Sequence, residues 1–153
     1  MADAATVHAS AVLAGARAVL IRGASGTGKS RLALALIQAA QAGSVPFARL
    51  VGDDRVHLEM HHQRLLVRPA PALAGLIEVR GLGIRRLEHE PVAAVGLVVD
   101  LAADDAERLP PVSDTVVSGV RLPRLAVAAG SAPLPGVLAH LGGVGEPHIK
   151  PRP

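Results

Sequence analysis

Short apolar runs, separated by glycine, proline and charged residues, dominate this chain, and one longer helical stretch interrupts them. Residues 18–21 are apolar at every position, which is typical of a strand buried on both faces. A shorter apolar segment and a turn at residues 14–15 precede that strand. Residues 32–42 are good helix formers, and Gly43 follows them as a C-terminal cap. The first part of the chain therefore predicts strand, turn, strand, glycine-rich loop and helix.

The pattern beyond the helix predicts mainly strands. Alternation around a polar centre at residues 61–63 predicts a hairpin, and hence antiparallel sheet. The predicted elements are a strand at 48–51, the hairpin strands 56–60 and 65–67, a strand at 76–79 with a bend at 81–83 and a further short strand, a central strand at 92–101, and a closing helix at 134–141. We expect the strand at 48–51 to lie beside the strand that precedes the glycine-rich loop.

Length and composition indicate one folded domain. The 153 residues are 50% hydrophobic despite 16 glycines and 12 prolines, which excludes disordered and collagen-like chains. We assign residues 1–141 to a single domain and residues 142–153 to a loose Gly/Pro-rich tail. The absence of cysteine excludes disulfides, cysteine zinc sites and thiol nucleophiles. With neither a signal peptide nor a long apolar run, the sequence predicts a soluble cytoplasmic protein with no membrane partner.

The basic charge does not indicate a nucleic-acid partner. The formal net charge is +3, but the arginines are scattered, and Arg80, Arg85 and Arg86 are the nearest approach to a patch. The chain has one phenylalanine, Phe47, and no tyrosine or tryptophan. It therefore lacks the aromatic side chains on which nucleic-acid bases usually stack. Only two lysines occur, and Lys29 lies in the motif described next.

Eight consecutive residues match a complete phosphate-loop motif, G-x-x-x-x-G-K-[ST]. The motif lies between a predicted strand and a predicted helix, which is the context that supports it. Its glycines let backbone N–H groups turn toward phosphate oxygens, while the lysine reaches the β- and γ-phosphates and the hydroxyl binds Mg²⁺. The predicted nucleotide-binding residues are Gly23, Ala24, Ser25, Gly26, Thr27, Gly28, Lys29 and Ser30.

Two adjacent carboxylates, Asp53 and Asp54, follow the strand at 48–51. At the carboxyl end of that strand one of them can face the γ-phosphate of a bound nucleotide, because open α/β sheets bind ligands at this edge. A pair of aspartates that merely begins a turn is the alternative interpretation on spacing alone.

The phosphate loop, the segment Leu-Val-Gly-Asp-Asp-Arg-Val at 50–56 and above all Leu-Ile-Glu-Val-Arg-Gly-Leu-Gly-Ile at 76–84 resemble the HPr kinase/phosphorylase family. The resemblance is clear from residue 7 to residue 84 and weaker to about residue 129. It implies an α/β fold, a P-loop-containing mixed sheet similar to the HPr kinase catalytic domain and the phosphoenolpyruvate carboxykinase core. By this resemblance we expect the chain to be a short form that lacks the family's usual N-terminal domain.

The resemblance implies an enzyme that uses ATP and Mg²⁺ to phosphorylate a serine of the phosphocarrier protein HPr, and that removes the phosphate by phosphorolysis. Asp54 matches the family's general base, which acts as an acid in the reverse direction. His8, Lys29 and Arg108 match other catalytic residues, and Ser30 and Glu78 match the Mg²⁺ ligands. Residues 80–84 correspond to a loop that is important for both phosphorylation and phosphorolysis. Family members form hexamers, which implies a homo-oligomer.

The chain departs from the family pattern beyond residue 101, where the P-G-R-N-L-A segment linked to phosphorolysis survives only as Leu-Pro-Arg-Leu-Ala at 122–126. Arg31 also stands where the family often has an acidic residue, and the segment before Asp53 is longer. The phosphorylase activity is therefore less well supported than the kinase activity. A P-loop kinase for a small metabolite and a non-catalytic nucleotide sensor are the alternative functions. A sensor would need neither Asp54 nor Glu78.

Overall fold

The computed structural model describes residues 5–108, 110–111 and 113–142. Within these ranges the chain forms ten strands, two α-helices and a short 3₁₀ turn at Pro71–Leu73. None of the helices there is long and apolar enough to cross a membrane. The elements are β1 (Ala9–Ala14), β2 (Arg17–Arg22), α1 (Lys29–Gln41), β3 (Ala48–Gly52), β4 (Val56–His61), β5 (Arg64–Pro69), β6 (Leu76–Val79), β7 (Gly83–Arg86), β8 (Ala93–Leu101), β9 (Asp114–Val117), β10 (Val120–Val127) and α2 (Leu134–Leu141).

The main sheet is mixed, with the strand order β3-β1-β2-β8-β10-β9. Strands β2, β8 and β10 are parallel, whereas β1 is antiparallel to both β2 and β3. The expectation that the strand at 48–51 lies beside the phosphate-loop strand is wrong, because β1 pairs with both and separates them. Since β3 still runs parallel to β2, the carboxyl ends of the two strands share one edge of the sheet.

Each face of the sheet carries its own apolar core, and the side chains of β2 divide between them. Val19 and Ile21 pack under α1 and α2, while Leu20 packs on the opposite face. The β4–β5 hairpin covers that second face and pairs with the start of β8. A strand buried on both faces is apolar at every position, and this is why residues 18–21 form a continuous apolar run.

The sequence predicts most elements correctly but misses β9 and β10. Pro123 lies inside β10, and proline lacks the N–H that a central strand needs, so the sequence argues against a strand there. In the structure Pro123 pairs with Asp114 of β9, and the parallel ladder with β8 begins only at Arg124. Of the predicted tail, only Gly142 falls within the described residues.

A network of charges joins the carboxyl ends of β2, β8 and β10. Asp100 accepts hydrogen bonds from Arg22 at 2.7 and 2.9 Å and from Arg124 at 2.6 Å. Arg124 also donates to Asp105 at 2.7 and 2.9 Å. Burial raises the pKa of Asp100, but the two guanidinium groups outweigh it and hold the pKa below its ordinary value. The hydrogen bonds to Asp105 and Asp100 in turn raise the pKa of Arg124.

Asp100→Asn is expected to lower the free energy of unfolding at pH 7 by about 1.5–3 kcal/mol, the range for hydrogen bonds to charged groups. Because the pKa of Asp100 is lowered in the folded state, its ionised form stabilises the fold above the unfolded pKa, and this contribution is lost as the pH falls through the folded pKa. Urea unfolding of both proteins between pH 7 and pH 2.5 should therefore show the difference shrinking below about pH 4. Asp104→Asn, at an exposed position of the following loop, is the control. A difference of equal size at pH 7 and pH 2.5 would contradict the assignment.

Candidate active site

Residues 23–30, here called the phosphate loop, connect β2 to the first turn of α1. Gly28 precedes the helix in the left-handed region, at φ +103°, which an L side chain rarely adopts. A Cβ atom at Gly23 would lie 2.5 Å from Thr27 Oγ1, so the start of the loop also requires glycine. The Thr27 hydroxyl donates to the Ala24 carbonyl at 2.7 Å and closes the turn. The loop can thus present backbone N–H groups to phosphate oxygens beside a helix N-terminus.

Lys29 is the first residue of α1 and is only 6% exposed, which is rare for lysine. Its ammonium group donates to the carbonyls of Gly23 and Ala24 at 2.8 and 3.1 Å. The loop therefore orients this side chain itself. Its positive charge lies along the loop, where it can reach the β- and γ-phosphates of a nucleotide.

Asp53 directly follows β3 and is 4% exposed. Its Oδ1 accepts a hydrogen bond from the Ser10 hydroxyl at 2.6 Å. The Ser30 hydroxyl lies 2.7 and 2.8 Å from the two carboxylate oxygens, and the Glu78 backbone N–H donates to Oδ2 at 3.1 Å. Burying a carboxylate is costly unless donors surround it, and these contacts supply them. Asp53 consequently ties β1, α1 and β6 to the end of β3.

Asp54 turns the opposite way from Asp53, because its backbone adopts φ +68°, a left-handed conformation that Asp and Asn tolerate better than most residues. Its Oδ1 lies 2.5 Å from His8 Nε2, with side chains 59% and 38% exposed for Asp54 and His8. Within the described residues, side-chain contacts engage only this one oxygen of Asp54. Two neighbouring carboxylates thus have different environments, one buried under the phosphate loop and one open to solvent.

These groups surround one cavity of about 540 Å³. Its walls combine the phosphate loop with His8, Asp54 and Glu78. Arg31 and Arg80 add two positive charges to that of Lys29. The cavity can therefore hold a polyanion against cations on one side while a carboxylate approaches it from the other.

The oxygen atoms around Ser30 suit Mg²⁺. Magnesium binds through one or two protein oxygens together with substrate phosphates and water, and does not need a cage made of protein alone. The Ser30 hydroxyl, the Asp53 carboxylate beneath it and the Glu78 carboxylate on the cavity wall offer such donors. In the described part of the chain no three His, Asp or Glu side chains form a metal-holding group. The donor set therefore fits a cation shared with phosphate.

Most of the residues singled out by sequence lie together here. His8, Asp54, Glu78 and residues 25–30 of the phosphate loop line the same cavity. Gly23 and Ala24 do not line it, but their carbonyls accept hydrogen bonds from Lys29. Arg108 lies in an exposed bend and does not line this cavity either. Its catalytic role remains a prediction.

The sequence did not reveal the part played by Asp53 and Ser10. Ser10 is fully buried in β1, and it bonds a residue 43 positions away. A lone hydroxyl in an apolar strand, two residues after His8, was the available signal. Its partner could not be identified without the β1–β3 pairing.

Comparisons with known proteins give a consistent picture. The family model described as HPr Serine kinase C-terminal domain matches residues 1–89. The chain is 43% identical over 67 residues to the HPr kinase/phosphorylase of Levilactobacillus brevis, which is 43% of this chain and 19% of the relative. It is 39% identical over 85 residues to the HPr kinase/phosphorylase of Lactobacillus delbrueckii subsp. bulgaricus. This match covers 55% of this chain and 25% of the relative. The chain thus spans from about a fifth to a quarter of the length of these relatives.

The fold also resembles a solved structure, the Hpr(Ser) kinase/phosphatase from Coxiella burnetii. The TM-score is 0.71 at 24% sequence identity, and the match covers 90% of this chain and 93% of the other. At 90% coverage the likeness extends well beyond residues 1–89, the segment that the family model matches. It confirms the mixed α/β fold.

Proposed function

The chain belongs to the HPr Serine kinase C-terminal domain family, and from this premise we propose that it is an ATP-dependent protein serine kinase acting on an HPr-type phosphocarrier protein. One observation carries the proposal. The carboxylate of Asp54, held by His8, and the phosphate loop with Lys29 line the same cavity. This arrangement supports the proposal, because phosphoryl transfer requires a base next to the γ-phosphate. Residues 1–141 would form the catalytic domain.

In this proposal the phosphate loop binds the triphosphate. Its backbone N–H groups and the Lys29 ammonium would neutralise the β- and γ-phosphates, and Arg31 and Arg80 would add charge from the cavity wall. Phosphoryl transfer spreads negative charge over the phosphate oxygens, so cations fixed in advance lower its barrier. The carbonyls that orient Lys29 limit the reorganisation needed when ATP binds.

Ser30 and Glu78 would hold Mg²⁺, with Asp53 orienting the Ser30 hydroxyl from below. When bound, Mg²⁺ would neutralise negative charge on the phosphates. The buried contacts of Asp53 support this role, because they fix the hydroxyl in position.

Asp54 would act as the general base. Its second carboxylate oxygen takes the proton of the serine hydroxyl, the serine oxygen forms a bond to the γ-phosphorus, and the bond to the β-phosphate oxygen breaks to release ADP. His8 holds Oδ1 and so orients the carboxylate. In the reverse direction inorganic phosphate would attack the phosphoserine, pyrophosphate would form, and protonated Asp54 would return the proton to the serine oxygen.

The reverse activity has weaker support in this chain. Relatives are named HPr kinase/phosphorylase, yet in the segment at 122–126 Arg124 is engaged by Asp100 and Asp105. We include phosphorolysis in the proposal on the ground that Asp54 can serve both directions. We also propose a cytoplasmic location and, by family resemblance, a homo-oligomer with six subunits. Analytical ultracentrifugation tests the oligomeric state.

The direct test is incubation with γ-labelled ATP, Mg²⁺ and an HPr-type carrier protein. We expect label on the carrier, and none when its acceptor serine is replaced by alanine. Label that stays in ATP while ATP binding is measurable would contradict the kinase and favour the nucleotide sensor. Label transferred to a small hydroxyl metabolite but not to the carrier would favour the metabolite kinase. Addition of phosphate and detection of pyrophosphate would test the reverse direction.

A further inference from the structure

Ser10 is a hydroxyl residue that the mechanism above does not use. It lies in β1 between Ala9 and Ala11, and it is fully buried. A buried hydroxyl group costs free energy unless it forms hydrogen bonds, and it can both donate and accept one. The Ser10 hydroxyl does both, and both of its bonds lead to the pair of aspartates that follows β3.

The bond that Ser10 donates reaches the metal side of the active site. Its hydroxyl lies 2.6 Å from Asp53 Oδ1. The same carboxylate accepts the Ser30 hydroxyl at 2.7 and 2.8 Å. Ser10 and Ser30 therefore share one buried carboxylate, and Ser10 helps to fix the oxygens that orient the Ser30 hydroxyl.

The bond that Ser10 accepts reaches the main chain of the proposed base. The backbone N–H of Asp54 donates to Ser10 Oγ at 3.3 Å. Asp54 has φ +68°, and a residue other than glycine stays in this left-handed region only when its surroundings hold it there. His8 holds the carboxylate of Asp54, and Ser10 holds its main chain. Two residues at the start of β1 thus fix both ends of the base.

We propose that Ser10 is a positioning residue, which sets the place of the base Asp54 relative to the metal side of the site. The inference rests on the proposed function, since it takes Asp54 as the base and Ser30 as a Mg²⁺ ligand. Misplacing a reacting group by about 1 Å can slow a reaction by about 10²-fold. Ser10 does not line the active-site cavity, so its loss should lower the transfer rate far more than the affinity for ATP.

Two variants of similar size isolate the hydroxyl group. Ser10→Thr keeps a hydroxyl and Ser10→Val lacks one, while both add bulk at the same buried position. The difference between them therefore reports the hydrogen bonds and not the packing. Ser44→Ala, which removes an exposed hydroxyl that does not line the cavity, is the control.

The first measurement needs no enzymatic activity. Amide hydrogen exchange, followed by NMR in the full chain without nucleotide, reports whether the Asp54 N–H keeps its acceptor. We expect this amide to exchange at least about tenfold faster in Ser10→Val than in Ser10→Thr, after correction for the change at the amides of β8. Ser44→Ala should exchange at Asp54 as the unmodified protein does. Equal exchange at Asp54 in the valine and threonine variants would overturn the proposal.

The second measurement is transfer to the carrier protein at saturating ATP and Mg²⁺, expressed per ATP-binding site counted by calorimetry. We expect Ser10→Val to be slower than Ser10→Thr by about tenfold or more, with ATP Kd values within about threefold of each other. Ser44→Ala should transfer at the rate of the unmodified protein. Equal rates in the valine and threonine variants, or a loss confined to ATP affinity, would overturn the positioning role.

A double-mutant comparison tests whether Ser10 acts through Asp54. In a chain that also carries Asp54→Asn, the rate difference between Ser10→Val and Ser10→Thr should shrink to less than about threefold, because the base that Ser10 positions is gone. An undiminished difference would overturn the positioning of Asp54. Absence of transfer by the unmodified protein, with the exchange difference at Asp54 present, would instead contradict the proposed function and not the contacts of Ser10.

Discussion

Asp54→Asn is expected to reduce transfer of phosphate to the carrier serine by about 10²–10⁴-fold, the usual contribution of a general base. Asparagine keeps the size of the side chain and tolerates the left-handed backbone at φ +68°, so the fold is retained. It can still contact His8 but cannot accept the serine proton. Because the phosphate loop is untouched, the Kd for ATP should change by less than about threefold. Initial rates and calorimetric titration measure the two effects separately.

Two comparisons sharpen this experiment. Asp104→Asn removes a carboxylate at an exposed position that does not line the active-site cavity, and it should leave the transfer rate unchanged. His8→Asn should slow transfer less than Asp54→Asn does, because His8 acts by orienting Asp54. Transfer by Asp54→Asn at the rate of the unmodified protein would refute Asp54 as the base.

Lys29→Met is expected to weaken ATP binding. We also expect it to lower the transfer rate at saturating ATP by about 10²–10³-fold. Methionine keeps much of the buried hydrocarbon stem but removes the charge that lies along the loop. A cation that interacts with the γ-phosphate contributes more in the transition state than in the ground state, so both constants respond. Steady-state kinetics with varied ATP, together with the Kd, separates the two contributions.

The matched control is Arg64→Met, which removes one positive charge at an exposed position in the distant β4–β5 hairpin. It should alter neither constant, which would show that the effect at Lys29 is local and does not arise from net charge. An unchanged rate and an unchanged Kd in Lys29→Met would remove the phosphate loop from the mechanism.

The sequence predicts those elements whose defining residues lie next to one another along the chain. The phosphate loop is eight consecutive residues between a strand and a helix, and its context is readable without the fold. The hairpin at 56–69 and the central strand β8 carry their own periodicity, and the structure confirms them. The same holds for the family resemblance, which the match to residues 1–89 confirms.

Features that depend on pairing between distant segments could not be predicted. Nothing in residues 9–14 specifies that β1 separates β2 from β3. Which of two adjacent aspartates turns inward depends on the left-handed backbone at Asp54, and the order of the residues does not indicate that conformation. The sequence did not predict β10, because Pro123 lacks the N–H of a typical central strand. Its pairing with Asp114 of β9 is seen only in the folded structure.

The buried contacts of Asp53 link nucleotide binding to folding. Because one carboxylate joins β1, β3, α1 and β6, the Ser30 hydroxyl is positioned only when all four elements are assembled. An unfolded or partly assembled chain would lack the site, so a ligand at the phosphate loop would bind the native state alone. Saturation at a hundred times Kd would then add about 2.7 kcal/mol to the stability of the whole sheet. In a cell, the supply of nucleotide would therefore influence the lifetime of this protein as well as its catalysis.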